Sequence, residues 1–151
     1  MVNLHETLIR PHVEYCVLAW SPYCVKDSNT LERIQHRFTK FIPGLQRLIY
    51  EERLARLWLW TLEEGRNRAD LIEVLKMANN LSPIPLSKYV ELHTDGRTRG
   101  HSLKLIKHRC KSKVRRHSFS ERVVNRWNTL DQDTVLVKTV NGFKTKPEKK
   151  R

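Results

Sequence analysis

Between Gly96 and Ser120 the chain carries nine basic residues and no acid: Arg97, Arg99, Lys104, Lys107, Arg109, Lys111, Lys113, Arg115 and Arg116. Ammonium and guanidinium groups at this density suit phosphate oxygens, and an arginine can hold two of them at once. Contacts of this kind hold a nucleic-acid backbone in place without reading its sequence. The rest of the chain sharpens the point. Residues 1–95 contain 12 Lys/Arg against 12 Asp/Glu, whereas residues 96–151 contain 17 against 4, so the second segment supplies the whole net charge of +13. A charge run is often only a solvated face. A neutral remainder and an acid-free run favour a polyanion partner instead.

Trp58 and Trp60 flank Leu59 just before a helix start, where one helix face cannot bury both indoles. They are available for stacking on bases or for docking on a partner. Trp20, Tyr23, Phe119 and Trp127 fall in apolar stretches and are assigned to the core. His12 and Cys16 are four residues apart, and Cys24, His108 and Cys110 are further potential ligands. Zinc sites are built from paired short spacings, which are missing, so neither a metal nor a cofactor is expected. Asp131-Gln-Asp133 falls in a polar loop, and no Ser or Cys stands in a nucleophile motif, so no catalytic residue is assigned.

The three cysteines are an odd number without paired spacing, which suits free thiols in a reducing compartment. The longest apolar-leaning stretch, Val13–Val25, contains Glu14, Ser21 and Pro22 and is too short to span a bilayer. With no secretory-type leader at residues 1–6, an intracellular site (nucleus, cytoplasm or both) is expected, away from membranes.

These residues must be positioned by helices. Leu4, Leu8 and Ile9 begin an amphipathic turn, and Val13–Trp20 reads as a mostly buried helix ended by Ser21-Pro22. Asp27 or Ser28 is expected to cap the next helix, with Leu31, Ile34, Phe38 and Phe41 or Ile42 as its inward stripe. Tyr50–Leu57 forms a short helix with acids in its first turn. Thr61-Leu-Glu-Glu64 has the form of a capping box and opens a helix to about Asn80, with Leu62, Ala69, Ile72, Leu75 and Met77 facing the core. Ser82-Pro83-Ile84-Pro85 breaks the chain, and a small helical turn follows near Leu86–Leu92. His101–Lys107 alternates apolar and basic residues like a strand, with a partner expected around Cys110–Val114. Phe119, Val123, Val124 and Trp127 form a helical stripe ending at Asn128, and a last helix begins near Thr139. The expected fold is mainly α: a small helical bundle with a basic loop or short β-hairpin before a C-terminal helix. Its parts are a helical module over 1–92, the basic loop or hairpin with its docked helix over 93–136, and a basic tail over 137–151.

Six blocks in order resemble one family. They are Arg10-Pro-His-Val-Glu-Tyr-Cys-Val-Leu-Ala-Trp-Ser-Pro-Tyr23, Leu31-Glu-Arg-Ile-Gln-His-Arg-Phe-Thr-Lys-Phe-Ile-Pro-Gly44, Tyr50-Glu-Glu-Arg-Leu-Ala-Arg-Leu57, Asp70-Leu-Ile-Glu-Val-Leu-Lys76, Thr98-Arg-Gly-His-Ser-Leu103 and Phe119-Ser-Glu-Arg-Val-Val-Asn-Arg-Trp-Asn-Thr-Leu130. Together they resemble the post-palm, thumb-like region of LINE-type, jockey-like non-LTR retrotransposon reverse transcriptases. The resemblance implies a C-terminal fragment of an RNA-directed DNA polymerase whose palm carboxylates, the Tyr-x-Asp-Asp pair among them, lie upstream. It therefore implies a chain that binds the phosphate backbone of RNA or an RNA/DNA hybrid without being an enzyme on its own, with the palm as a further partner. The sequence departs from the family at Ile49, where a small polar cap is usual, and at Trp58, where glycine is usual. It departs again at Gly65, inside a helix, and at Leu130-Asp131, where Leu-Pro is usual. These departures suit a truncated copy. The alternatives are a protein-interaction module that docks through Leu8, Val13, Trp20, Trp58 and Trp60, or a decayed reading frame without independent function.

Overall fold

A computed structural model of the chain describes Thr7, residues 10–93 and residues 100–145. The expected turn at Leu4, Leu8 and Ile9 lies outside the described residues, as does the end of the basic tail. The fold is mainly helical. Its α-helices are α1 (Arg10–Val13), α2 (Val25–Phe41), α3 (Tyr50–Leu57), α4 (Leu62–Ala78), α5 (Lys113–Arg116), α6 (Phe119–Asn128), α7 (Gln132–Val135) and α8 (Val140–Thr145), with a 3-10 turn at Leu86–Lys88. Two compact units divide within α4: Met1–Arg68 and Ala69–Arg151.

Unit 1 is organised around polar groups. The carboxylate of Glu32 accepts the hydroxyl proton of Tyr50 and the backbone N–H of Leu62 (3.0 Å). Gln35, fully buried, donates to the Tyr50 hydroxyl at 3.2 Å and to the Trp60 carbonyl at 2.8 Å. Burial, reinforced by the hydrogen bond to Glu32, pushes the Tyr50 phenol well above its ordinary pKa. Next to it, buried Arg53 approaches the His36 ring nitrogen at 3.1 Å.

This network corrects the expected face of α2. Ile34 and Phe41 are exposed, and Gln35 and Thr39 are the buried pair one turn apart. The backbone groups of Trp60 and Leu62 need partners, and Gln35 and Glu32 supply them. The start of α2 is also corrected. The helix begins at Val25 after Cys24, with no side-chain cap from Asp27 or Ser28.

Nor is Val13–Trp20 a helix. The helix stops at Val13, Cys16 takes φ +51°, and turns follow. The Trp20 indole donates to the Tyr15 carbonyl, the acceptor a helix would have given to Ala19, whose amide goes to Cys16 instead. Trp20 and Tyr23 are consequently exposed rather than core residues. The end of α3 and the capping box are as read from the sequence. Thr61 N–H donates to Glu64 at 3.3 Å, and Glu64 N–H donates to the Thr61 hydroxyl at 3.1 Å.

Unit 2 has an apolar interior formed by Leu71, Val74 and Leu75 of α4 with Val123, Val124 and Trp127 of α6. Leu75 and Met77 are buried as expected, but Ala69 and Ile72 are only half-buried, the face being centred on Leu71 and Val74. One ion pair crosses this interior. Arg122 of α6 grips Asp70 of α4 through two bonds, Nε–Oδ2 and Nη2–Oδ1, both 2.8 Å. Asp70 is buried and the arginine nearly so. At the far end of α4, Asn79 donates to the carbonyls of Leu75 and Val137, and Asn80 adopts the left-handed conformation (φ +56°) that ends the helix.

Removing one partner of a buried pair strands the other charge, at a cost of about 3–5 kcal/mol. Arg122→Ala is expected to lower the unfolding free energy by about that amount. The double substitution Asp70→Leu with Arg122→Met should recover most of the loss. Urea denaturation of the three proteins checks it, and an Arg122→Ala protein as stable as wild type contradicts it.

Candidate nucleic-acid interface

The basic run is anchored at its start by an extended segment. Leu105 pairs with Leu92 in an isolated antiparallel bridge, with His93 N–H donating to the Lys104 carbonyl and Ile106 N–H to the Glu91 carbonyl, each at 2.8 Å. The sequence placed the partner downstream at Cys110–Val114. The structure places it upstream at Glu91–His93, because Lys113–Arg116 is taken up by α5. No strand longer than this bridge forms among the described residues, so the alternative of a basic loop holds.

A lone bridge leaves the other side of Leu105 unpaired, and a side chain takes that place. Asn128, at the end of α6, accepts from Leu105 N–H at 2.9 Å and donates to the Leu105 carbonyl at 2.8 Å. Its neighbour Trp127 donates from the indole to the Leu103 carbonyl at 2.7 Å. His101 reaches the Trp127 carbonyl at 3.0 Å, and Gln132 accepts from Ser102 N–H at 2.9 Å. Lys107 is steadied by Asn125 at 2.9 Å. The sequence marks none of these amide side chains as part of a site. The only available signal was the Trp-Asn pair closing the α6 stripe.

Beyond the clamp, Arg109, Lys111, Lys113, Arg115 and Arg116 are exposed, and none pairs with a carboxylate among the described residues. Lys104 is half-buried and Lys107 exposed. Arg97 and Arg99 lie outside the described residues. The one acid of α6, Glu121, is turned into the protein, and Glu91 faces His108 at 3.5 Å. The region thus displays cations on a backbone held by the Asn128 clamp at Leu105 and, after α5, by Arg122, which donates to the His117 carbonyl at 3.3 Å. That arrangement suits a run of phosphates, and the described residues 100–116 contain no acid. Asp131 instead stands just before α7 and accepts the Thr134 hydroxyl at 2.9 Å.

In unit 1, Trp58 follows α3 with φ +55°. Its N–H donates to the Ala55 carbonyl and Leu59 N–H to the Leu54 carbonyl, the double closure that normally employs glycine. The indole is 91% exposed. Trp60 is 43% exposed, with the Arg68 guanidinium 5.1 Å from its ring centre. The two line a shallow cleft with Arg10, Glu14, Gln35 and Leu59. Glu14 is paired with Arg10 at 2.8 Å, and its Oε1 lies only 2.9 Å from where a Cβ on Gly65 would stand, so the glycine leaves the carboxylate room. Compared with known proteins, the chain matches no family model, no curated protein and no solved structure.

A bulky residue held left-handed costs about 1–2 kcal/mol. Trp58→Gly is therefore expected to raise the unfolding free energy by about 1 kcal/mol, read in urea, despite the loss of a large side chain.

A carbonyl can only accept, so His101 Nε2 carries the ring proton and buried Nδ1 has no partner. A second proton would enter a buried, unsatisfied position, and burial holds the imidazole below its ordinary 6.5. The unfolded chain then binds protons more readily than the folded one. The His101 contribution to stability is complete above pH 6.5, declines as pH falls below that value, and levels off below the folded pKa. Denaturation across this range should show the decline, and His101→Gln, which retains a donor, should show a smaller one.

Proposed function

We propose that this chain is the post-palm, thumb-like region of a LINE-type reverse transcriptase, holding RNA or an RNA/DNA hybrid by its phosphates without copying it. The observation that carries this reading is the anchored, acid-free basic surface from Lys104 to Arg116. Further support comes from the blocks of the resemblance, whose residues bond to one another within each unit. Glu32, Gln35 and His36 meet Tyr50 and Arg53, Asp70 meets Arg122, and His101 and Leu103 meet Trp127. Two-metal phosphoryl transfer requires carboxylates fixed around both ions, and the reading assigns that set to the upstream palm.

A second reading has one observation in its favour. Trp58 exposes its indole at a position where glycine would be more stable, which suits an anchor for a protein surface such as the palm. On that reading, Trp58→Gly removes the anchor and leaves nucleic-acid binding intact.

Phosphate-driven binding weakens with salt, log K falling by about 0.9 per phosphate on a duplex for each tenfold rise in salt. Arg115→Gln with Arg116→Gln should make the slope on a labelled RNA/DNA hybrid about 2 units shallower, and hybrids of unrelated sequence should bind alike. A salt-independent affinity overturns the proposal, as does template-dependent primer extension by the chain alone.

A further inference from the structure

The neutral composition of residues 1–95 hides a polarised surface. On α2, Lys26, Arg33, Arg37 and Lys40 are all exposed. At 100° per residue they fall within an arc of about 60°, and at 1.5 Å per residue they extend along about 21 Å of helix. None of the four forms an ion pair among the described residues. Three acids of unit 1 are committed to other partners. Glu32 is turned inward onto Tyr50 and Leu62, Glu14 is bound to Arg10, and Glu64 closes the box at the start of α4. Asp27, the other acid of α2, lies in its first turn, a full residue step away from the line of cations.

We infer that the outer face of α2 is a second phosphate-binding surface, one that lies along the backbone of duplex nucleic acid. The ligand class is that of the function proposed above, but the residues are separate and so is the test. Four cations in a straight line match a linear polyanion. About 21 Å spans about six base-pair steps at 3.4 Å each. Arg33 and Arg37, one turn apart, can each bind two oxygens of a phosphate. A helix lying on a membrane turns its apolar face to the lipid. Here the face opposite the cations contains the buried Gln35 and Thr39, with Glu32 on its flank bonded to Tyr50 and Leu62, all within unit 1. Exposed Ile34 and Phe41 only border the stripe on one side.

The test is anisotropy of the full chain on a short labelled RNA/DNA hybrid across a salt series, comparing R33Q/R37Q/K40Q with R109Q/R115Q/R116Q. Neutralising α2 should make the salt slope shallower by about 2.7 units and weaken low-salt binding on the order of tenfold or more. The charge-retaining R33K/R37K should keep the slope, which separates loss of charge from loss of fold. An α2 variant with unchanged slope and affinity, alongside a weakened R109Q/R115Q/R116Q, overturns this inference and leaves the proposed function standing. A wild-type chain that binds neither the hybrid nor single-stranded RNA overturns both. Binding to phosphatidylserine vesicles that is lost in I34S/F41S, with hybrid binding indifferent to the α2 charges, also overturns it and assigns the face to a lipid surface.

Discussion

The amide and the carbonyl of Leu105 both end on the carboxamide of Asn128, and the organisation of the basic region depends on that pair of bonds. An extended segment with a neighbour on only one side leaves a row of donors and acceptors to water or to chance pairing. A carboxamide is the one neutral side chain that offers a donor and an acceptor in the geometry of a peptide group. Asn128 therefore acts as the missing edge of a sheet, supplied by a helix end. Trp127 and His101 fix the same segment two and four residues earlier, so the backbone is held before Lys107 and the exposed cations that follow it. Long basic side chains lose much conformational entropy when they bind, and a fixed backbone lowers the part of that cost that comes from the chain itself.

The Asp70–Arg122 pair has a different role. Its two parallel bonds set the angle and register between α4 and α6, which apolar packing of valines and leucines alone would fix less sharply. Unit 1 follows the same plan with neutral and charged groups together. Glu32, Gln35 and Tyr50 hold the turn between α3 and α4 by satisfying its backbone. In both units, polar groups define the geometry and apolar ones fill the space around it.

The sequence was legible wherever a boundary depended on nearby residues. α3 runs over Tyr50–Leu57 and α6 ends at Asn128, because acids in a first turn, a capping box and a regular apolar stripe are local signals. It was illegible where distant backbone groups chose the partner. The rotation of α2 toward Gln35 answers carbonyl and amide groups some 25 to 30 residues away. The end of α1 at Val13 and the upstream pairing of Leu105 with Leu92 likewise carry no local signal. Of the candidate site, the cations could be read as a run, whereas the clamp that holds them could not. The stripe on α2 was concealed for an arithmetical reason: a sum of charges does not record which of them face inward.

Trp127 and Trp58 occupy opposite extremes of environment, one indole sealed in an apolar interior with its N–H engaged, the other surrounded by water. They also belong to different units. Indole emission moves to longer wavelength as water gains access, so Trp127 is a natural optical reporter of the clamp. Opening of the Leu103–Leu105 segment would register in its colour while helical content was still intact. Trp58 emits as a solvated indole in either state, and with the half-exposed Trp20 and Trp60 replaced by Phe the change in colour belongs to Trp127 alone.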